Sequence, residues 1–276
     1  MNELPAGLHI VATPIGNLGD LSPRAADTLR RAHRILVEDT RVTAKLLGHV
    51  GAKVPMTRYD DHSTDRDREA IVARLGEEAI ALVSDAGTPL ISDPGYKLVR
   101  AARAAGHAVH TIPGPSAGIA ALTLAGLPTD RFLFVGFLPA KAKARADAIA
   151  DIAGLRATLV IYESGPRLAG TLAALGDGLG DRDAAVAREL TKLHEECVTG
   201  TLEDLAERYA ATPAKGEIVI IVGPPSEAPE ASQDALDAAL DEALLRLSPS
   251  RAAAEVADRL GVPRKRAYAR ALELSR

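Results

Sequence analysis

The stretch "ALVSDAGTPLISDPGYKLV", residues 81–99, joins an apolar, β-type run to an amphipathic helical pattern. Residues 85–95 within it hold two Asp, two Gly and two Pro. Glycine allows backbone conformations that other residues disfavour, and proline stiffens the turns between them. The segment is therefore either a plain strand-to-helix turn or a rigid wall of a ligand site.

The position of this segment favours a ligand site for its first half. In a parallel sheet, ligands bind outside the carboxyl ends of the strands. Residues 85–88 directly follow the predicted strand "AIALVS" and should lie at that edge. Residues 92–95 are expected only to turn the chain into the next helix.

Short β-type runs alternate with helical patterns on both sides of this segment. The runs "LHIVA", "RILVE", "AIALVS" and "AVHTI" indicate a largely parallel sheet covered by helices. After "GLPTDR", five predicted strands with fewer helices indicate a second α/β domain with a mixed sheet. We expect one domain over residues 1–115, a second over 116–226, and a helical module over 233–276.

Two further loops share the rigid character of residues 85–95. The loop "TPIGNLGD", residues 13–20, follows the first predicted strand. The loop "PGPSAG", residues 113–118, follows "AVHTI" and leads into a helix for which Ser116 fits the N-cap. Each loop alone is compatible with an ordinary turn, but three of them at one sheet edge favour a ligand pocket.

The composition is typical of a cytoplasmic globular protein. The chain is 47% hydrophobic and 25% charged, and no apolar run approaches the roughly twenty residues that a membrane span needs. Its start lacks the pattern of a signal peptide, and Cys197 is the only cysteine, which excludes an internal disulfide and a thiolate zinc cluster. Adjacent residues such as Asp60, Asp61 and His62 rarely converge on one metal. We therefore expect no metal site and no membrane association.

Several well-known catalytic signatures are absent. The sequence contains no G-x-x-x-x-G-K-[ST] phosphate loop, no G-x-S-x-G elbow, no H-E-x-x-H pair and no full G-x-G-x-x-G after the first strand. This argues against the enzyme classes that depend on those motifs.

The charge distribution points to a local rather than a general contact with nucleic acid. A net charge of −4 and an aromatic content of 3% argue against a protein that coats nucleic acid. Near the C-terminus, however, residues 227–246 carry a net charge of −5 and residues 249–276 one of +4. Three helical patterns there, with "LGVPRKRAY" at the last junction, have the layout of a helix-turn-helix. The module is either a packing unit or a basic surface for RNA.

Charged residues also gather where predicted strands end. They occur in "EDTR" (residues 38–41), in "YESGPR" (162–167) and in "RELTK" (188–192). The first cluster is either part of a site or a helix N-cap with a salt bridge. The other two would face any cleft between the domains.

Eight motifs in order carry a resemblance to a known family: "TPIGNLGD", "EDTR", "LVSDAGTPLISDPGY", "PGPSA", "GLPTDRF", "GFLPAK", "YES" and "ARELTK". Together they resemble the ribosomal RNA small subunit methyltransferases of the tetrapyrrole methylase superfamily, over residues 8–223, with a departure at Gly165 and Pro166. The resemblance implies an α/β, two-domain tetrapyrrole-methylase-like fold with a cofactor cleft between the domains and a small C-terminal helix-turn-helix-like module.

The resemblance also implies an activity and its partners. A homodimer would bind S-adenosyl-L-methionine and transfer its methyl group to the ribose 2′-oxygen of a cytidine. That cytidine would lie in the decoding region of 16S rRNA, in the small ribosomal subunit. Alternatives are methylation of a corrin or tetrapyrrole precursor, and a nucleotide-sensing RNA-binding module without catalysis.

Candidate site residues follow from matching the motifs position by position. The residues implied to bind the cofactor are Pro14, Ile15, Gly16, Asp85, Ala86, Gly87, Thr88, Ser116, Ala117, Tyr162, Glu163, Ala187, Arg188, Gly216 and Glu217. A ribose hydroxyl is a poor nucleophile at neutral pH, so a carboxylate base should lie within hydrogen-bond reach. From their positions, the candidates for this base are Glu163, Glu189 and Asp39. The candidate phosphate or oxyanion partners are Arg41, Arg167 and Lys192.

Overall fold

The computed structural model describes residues 3–225 and 232–275. The chain divides into two compact units, Met1–Pro224 and Pro225–Arg276. Both sheets belong to the first unit, and the second unit is helical. The predicted division of the first unit at residues 115 and 116 stays a prediction.

The first sheet consists of five parallel strands in the order β3-β2-β4-β1-β5. Their bounds are β1 Gly7–Val11, β2 Arg34–Val37, β3 Met56–Arg58, β4 Ala79–Leu82 and β5 Val109–Ile112. Strand β4 is buried along its whole length because helices cover both faces of the sheet. The predicted parallel sheet is confirmed.

Four helices cover this sheet: α1 Pro23–Arg31, α2 Thr40–Val50, α3 Asp65–Val72 and α4 Tyr96–Ala104. Helices α1 and α2 pack on one face, and α3 and α4 pack on the other. Helix α2 begins three residues before the pattern predicts, because the Asp39 side chain caps it by accepting a hydrogen bond from the Arg41 backbone N–H.

The second sheet is mixed, as predicted, with the order β6-β7-β10-β8-β9. Its strands are β6 Phe132–Phe137, β7 Thr158–Ser164, β8 Asp183–Arg188, β9 Glu196–Thr201 and β10 Glu217–Val222. Only β6 and β7 are parallel to each other, and the other neighbours are antiparallel.

Helices also cover both faces of the second sheet: α5 Ala117–Ala125, α6 Ala142–Ile152, α7 Leu168–Leu179 and α8 Leu202–Ala211. Helices α6, α7 and α8 share one apolar core with one face. Helix α5 follows β5 in the chain but packs on the opposite face of the second sheet. The chain therefore passes from one sheet to the other just before α5.

The C-terminal unit is a bundle of α9 Gln233–Leu244, α10 Pro249–Leu260 and α11 Arg264–Leu274 around a common apolar core. Gly261, with a φ of 65°, ends α10 and permits the tight turn into α11. Some of the acidic and basic residues behind the charge asymmetry in the sequence pair with each other within this unit. Arg270 pairs with Asp237 at 2.6 Å and Arg259 pairs with Glu242 at 3.2 Å.

No helix within the described residues has both the length and the apolar character needed to cross a membrane.

Gly165 and Gly170 offer a matched test of the packing around β7. A Cβ at Gly165 would overlap the backbone carbonyl of Ala214, whereas nothing lies within 4 Å of a Cβ at Gly170 in α7. We expect Gly165→Ala to lower the free energy of unfolding by about 1–3 kcal/mol through overpacking. Gly170→Ala should raise it by up to about 1 kcal/mol through helix propensity. Urea unfolding of both variants measures this, and equal effects would contradict the account.

Candidate active site

The three rigid loops meet at the carboxyl edge of the first sheet. Thr13 and Gly87 exchange two backbone hydrogen bonds, of 2.8 and 3.1 Å. The Thr88 hydroxyl donates a hydrogen bond of 2.9 Å to the carbonyl oxygen of Pro115. The loops after β1, β4 and β5 are therefore linked into one surface, as their shared position at one edge predicted.

Gly87 is the residue that lets these loops approach so closely. Its φ is 80°, in the left-handed region, and a Cβ there would lie 3.2 Å from Cγ2 of Ile15. A larger residue would meet both a strained backbone and a neighbouring side chain. The backbone conformation and the close contact with Ile15 together explain why glycine occupies this position of "SDAGTP".

A cavity of about 410 Å³ lies between this edge and the second sheet. The first-sheet side contributes Ile15, Glu38, Asp85, Ala86, Gly87, Thr88, Ile91, Ser92 and Asp93. The second-sheet side contributes Ser116, Ala117, Phe137, Tyr162, Glu163, Ser164, Leu190, Gly216, Glu217, Ile218 and Val219. This volume falls within the usual range for small-molecule sites, roughly 300–1,000 Å³.

Most residues that the motifs assigned to the cofactor line this cavity, but four do not: Pro14, Gly16, Ala187 and Arg188. Ala187 is fully buried in the core beneath α5. The Arg188 side chain turns to Glu196 on the neighbouring strand, at 2.6 Å. Pairing and burial within the second sheet therefore account for the positions of these last two.

The Ser116 side chain does not cap α5, although Ser116 occupies the N-cap position. The Gly118 backbone N–H instead donates a hydrogen bond of 3.1 Å to the Tyr162 hydroxyl. This bond joins the start of α5 to strand β7 across one end of the cavity.

Glu163 lines the cavity, yet its carboxylate is already engaged. One oxygen accepts hydrogen bonds from the Thr171 hydroxyl at 2.7 Å, and the other accepts from the Ser164 backbone N–H at 2.8 Å. The Arg167 guanidinium lies 3.3 Å from the second oxygen and also donates to the Leu138 carbonyl. Glu163 therefore stabilises the cavity wall through these bonds. Arg167 pairs with Glu163 but does not itself line the cavity.

Asp39 and Arg41 lie outside the cavity lining. Asp39 caps α2, and hydrogen bonds from the side chain and backbone of Arg41 hold the pKa of the Asp39 carboxyl at about 2. The Arg41 side chain is 87% exposed. The Asp39 backbone N–H donates to a carboxylate oxygen of Asp85 at 3.1 Å, so Asp39 positions a cavity residue, whereas Glu38 of the same cluster lines the cavity itself.

Glu189 and Lys192 form a brace on the opposite side of the cavity. The Lys192 ammonium contacts the carboxylates of Glu189 at 3.0 Å and Glu217 at 2.9 Å. Its hydrogen bond lowers the pKa of Glu189. The Lys192 stem also packs against Gly16, where a Cβ would lie 2.5 Å from Cγ of Lys192.

The backbone of this brace is strained. Glu189 and Thr191 have φ values of 49° and 64° although neither is glycine. Such conformations persist where the surrounding structure imposes them, and they cluster at functional sites. The strained loop after β8 is thus held to Glu217 at the start of β10 by the Lys192 ammonium, and to Gly16 in the loop after β1 by the Lys192 stem.

Sequence reasoning missed Asp93, which lines the cavity. Burial, with smaller contributions from the negative charges of Asp85 and Asp61, raises the pKa of Asp93 to about 6. Burial and the same acidic surroundings raise the pKa of Glu38. The expectation that residues 92–95 only turn the chain is wrong for Ser92 and Asp93. The repeated Ser-Asp of residues 84–85 and 92–93 was the available signal.

The cavity walls differ in chemistry. Glu38, Asp85 and Asp93 make the first-sheet wall acidic, whereas the second-sheet wall combines the apolar Leu190 and Val219 with two carboxylates, Glu163 and Glu217, that neighbouring groups already engage. This arrangement suits a ligand with a positive charge and an apolar part. Among the described residues, no group of three or more His, Cys, Asp or Glu is placed to hold a metal ion.

Comparison with family models identifies both parts of the chain. Residues 7–206 match the model of the Tetrapyrrole (Corrin/Porphyrin) Methylases, and residues 230–275 match that of the RsmI C-terminal HTH domain.

Solved structures of similar fold include diphthine synthase, with a TM-score of 0.61 and 16% identity over 78% of this chain and 89% of that one. Another is uroporphyrin-III C-methyltransferase from Thermus thermophilus complexed with S-adenyl homocysteine, with a TM-score of 0.55 and 20% identity over 79% of this chain and 97% of that one. At these identities the likeness shows the fold alone.

Full-length relatives are much more similar in sequence. The Ribosomal RNA small subunit methyltransferase I of Erythrobacter litoralis is 58% identical, over 98% of this chain and 96% of its own length. The protein of the same name from Xylella fastidiosa is 51% identical, over 96% of this chain and 98% of its own length. This chain therefore belongs to the tetrapyrrole methylase family and, within it, to the family of ribosomal RNA small subunit methyltransferase I.

Proposed function

We propose that this protein uses S-adenosyl-L-methionine to methylate the 2′-oxygen of a cytidine ribose in the decoding region of 16S rRNA, in the small ribosomal subunit. The observation that carries the proposal is a cavity between two sheets, lined by the matched motifs, in a chain 58% identical to a Ribosomal RNA small subunit methyltransferase I over nearly its whole length.

The cavity residues fit the cofactor. S-Adenosyl-L-methionine supplies a methyl group on a positively charged sulfonium. Asp85, Asp93 and Glu38 offer negative charge to such a cation, and Leu190 and Val219 offer apolar contact. Among the residues that the motif match implied for the cofactor, we assign those that line the cavity to cofactor binding, with Pro14, Gly16, Ala187 and Arg188 supporting them from outside.

The rigidity of the cavity suits methyl transfer. An in-line displacement depends on alignment of the reacting atoms and on exclusion of water. The linked loops at Thr13, Gly87 and Thr88 fix one wall. The brace of Glu189, Lys192 and Glu217 ties the loop that follows β8 to the start of β10, on the other side.

We assign Asp93 as the group that takes the proton from the ribose hydroxyl. It lines the cavity, and a carboxylate whose pKa is about 6 can accept a proton near neutral pH. Of the three bases expected from the sequence, Glu163 is engaged by Thr171 and Ser164, and Asp39 and Glu189 lie outside the lining.

We also propose that the protein is a cytoplasmic homodimer whose C-terminal unit adds affinity for RNA. The side chains of Ile119 and Leu124 on α5 are 50% and 44% exposed and offer an apolar surface to a second copy.

The proposed affinity of the C-terminal unit for RNA rests on its exposed basic side chains. These include Arg251, Arg264 and Lys265, which can contact phosphate groups.

The proposed activity predicts a defined loss in cells without this protein. Small-subunit RNA from such cells should lack one 2′-O-methylcytidine in the decoding region, detected by mass spectrometry of RNA fragments. Purified protein and S-adenosyl-L-methionine should restore it on isolated small subunits. Unchanged modification in the cells, or methylation of a tetrapyrrole instead of RNA, would contradict the proposal.

The acidic wall predicts that affinity for the charged donor depends on pH. Asp93 gains its negative charge as the pH rises through about 6, and a nearby sulfonium favours that charged form. We expect the preference for S-adenosylmethionine over its uncharged product, S-adenosylhomocysteine, to rise about fivefold between pH 5 and pH 8. This corresponds to about 1 kcal/mol of charge attraction.

Calorimetry with the two ligands at both pH values measures this preference. Asp93→Asn should remove most of this pH dependence and leave only the part that comes from Glu38, whose pKa is also raised. The matched control is Asp151→Asn, on an exposed position of α6, which should behave as the original protein does. A preference that stays constant with pH in the original protein would contradict the proximity of Asp93 to the sulfonium.

A further inference from the structure

Phe137 is an exposed aromatic residue at the cavity. Its side chain is 58% exposed, and it lines the cavity that we assign to the methyl donor and the target ribose. The chain has only three Phe, five Tyr and no Trp, so few rings are available to contact a nucleobase. The exposure of an aromatic ring at the cavity therefore suggests that the ring contacts a ligand.

A β-bulge determines the direction in which Phe137 points. Phe134 pairs with Val160, but the next pair is Gly136 with Ile161, so Val135 is the extra residue. Phe137 then pairs with Tyr162 and shares the face of Phe134 and Tyr162. Without the extra residue, the alternation of side chains would turn Phe137 toward the opposite face of the sheet, the one covered by α6, α7 and α8.

Gly136 makes room for the cavity loop at this bulge. Its φ is 72°, in the left-handed region, and a Cβ there would lie 3.2 Å from the hydroxyl oxygen of Ser92. The loop that carries Ser92 and Asp93 therefore packs directly beside Phe137. The aromatic ring and the proposed proton acceptor come from two sheets but meet at one place.

The Phe137 ring rests on a fixed support. It meets the Tyr162 ring edge to face, with centroids 5.6 Å apart, and Phe134 holds the same Tyr162 ring at 5.0 Å. The Tyr162 hydroxyl is in turn anchored by the Gly118 backbone N–H. An aromatic ring held in this way loses little conformational freedom when a ligand stacks on it.

We propose that the exposed face of Phe137 is the surface on which the nucleobase of the target nucleotide stacks. Unpaired RNA bases are commonly recognised by stacking on aromatic side chains, and enzymes that act on a single nucleotide often take it out of its base stack. Stacking on Phe137 places the base at the cavity, with its ribose toward Asp93. The inference rests on the proposed function and names the base subsite of the same cavity.

Steady-state kinetics on isolated small subunits tests this subsite. We expect Phe137→Ala to raise the KM for the subunits about tenfold or more, the usual effect of removing one stacking aromatic. Phe137→Tyr should keep the original KM, and Phe137→Leu, which is apolar but not flat, should remain impaired. Affinity for S-adenosylhomocysteine should stay unchanged in all three variants.

The matched control lies on the same strand. Phe132 is 46% exposed but does not line the cavity, so Phe132→Ala should leave the KM for the subunits unchanged. Thermal unfolding of each variant checks that the fold is kept.

Three results would overturn the inference: an unchanged KM in Phe137→Ala, full recovery in Phe137→Leu, or a loss of S-adenosylhomocysteine binding. Each of these results is compared with the activity of the unsubstituted protein measured in the same assay. An original protein that does not methylate small subunits would overturn the proposed function itself.

Discussion

The two backbone hydrogen bonds between Thr13 and Gly87 are the constraint on which the rest of the site depends. They join the loops after β1 and β4, and the bond from Thr88 to Pro115 adds the loop after β5. Parallel strands bring their carboxyl ends to one edge, and these bonds turn three separate turns into one wall. That wall is one side of the cavity, and the second sheet supplies the other.

The polar residues around the cavity divide into those that face it and those that support it. Asp39, Glu189 and Lys192 satisfy neighbouring charges and backbone groups outside the lining, as paired charges in a protein generally do. Asp93 and Glu38 face the cavity, and burial raises the pKa of each. Perturbed carboxylates at a cleft indicate a functional site.

Sequence reasoning predicted the fold well because local patterns decide it. The five parallel strands, the mixed second sheet and the three Gly- and Pro-rich loops all have local signals. The direction of single side chains was harder to predict. The inserted Val135 turns Phe137 to the other face of the sheet, which depends on how β6 pairs with the distant strand β7. Asp39 caps α2 instead of lining the cavity, because its side chain accepts a hydrogen bond from the nearby Arg41 backbone N–H.

The central claim is that the linked loops and the second sheet together hold the methyl donor. Hydrogen–deuterium exchange with and without S-adenosylhomocysteine tests it most directly. The account predicts slower exchange on binding at residues 13–16, 85–88, 116–118 and 216–219, and no change in residues 233–275. Slower exchange confined to one sheet, or absent from all three loops, would contradict it.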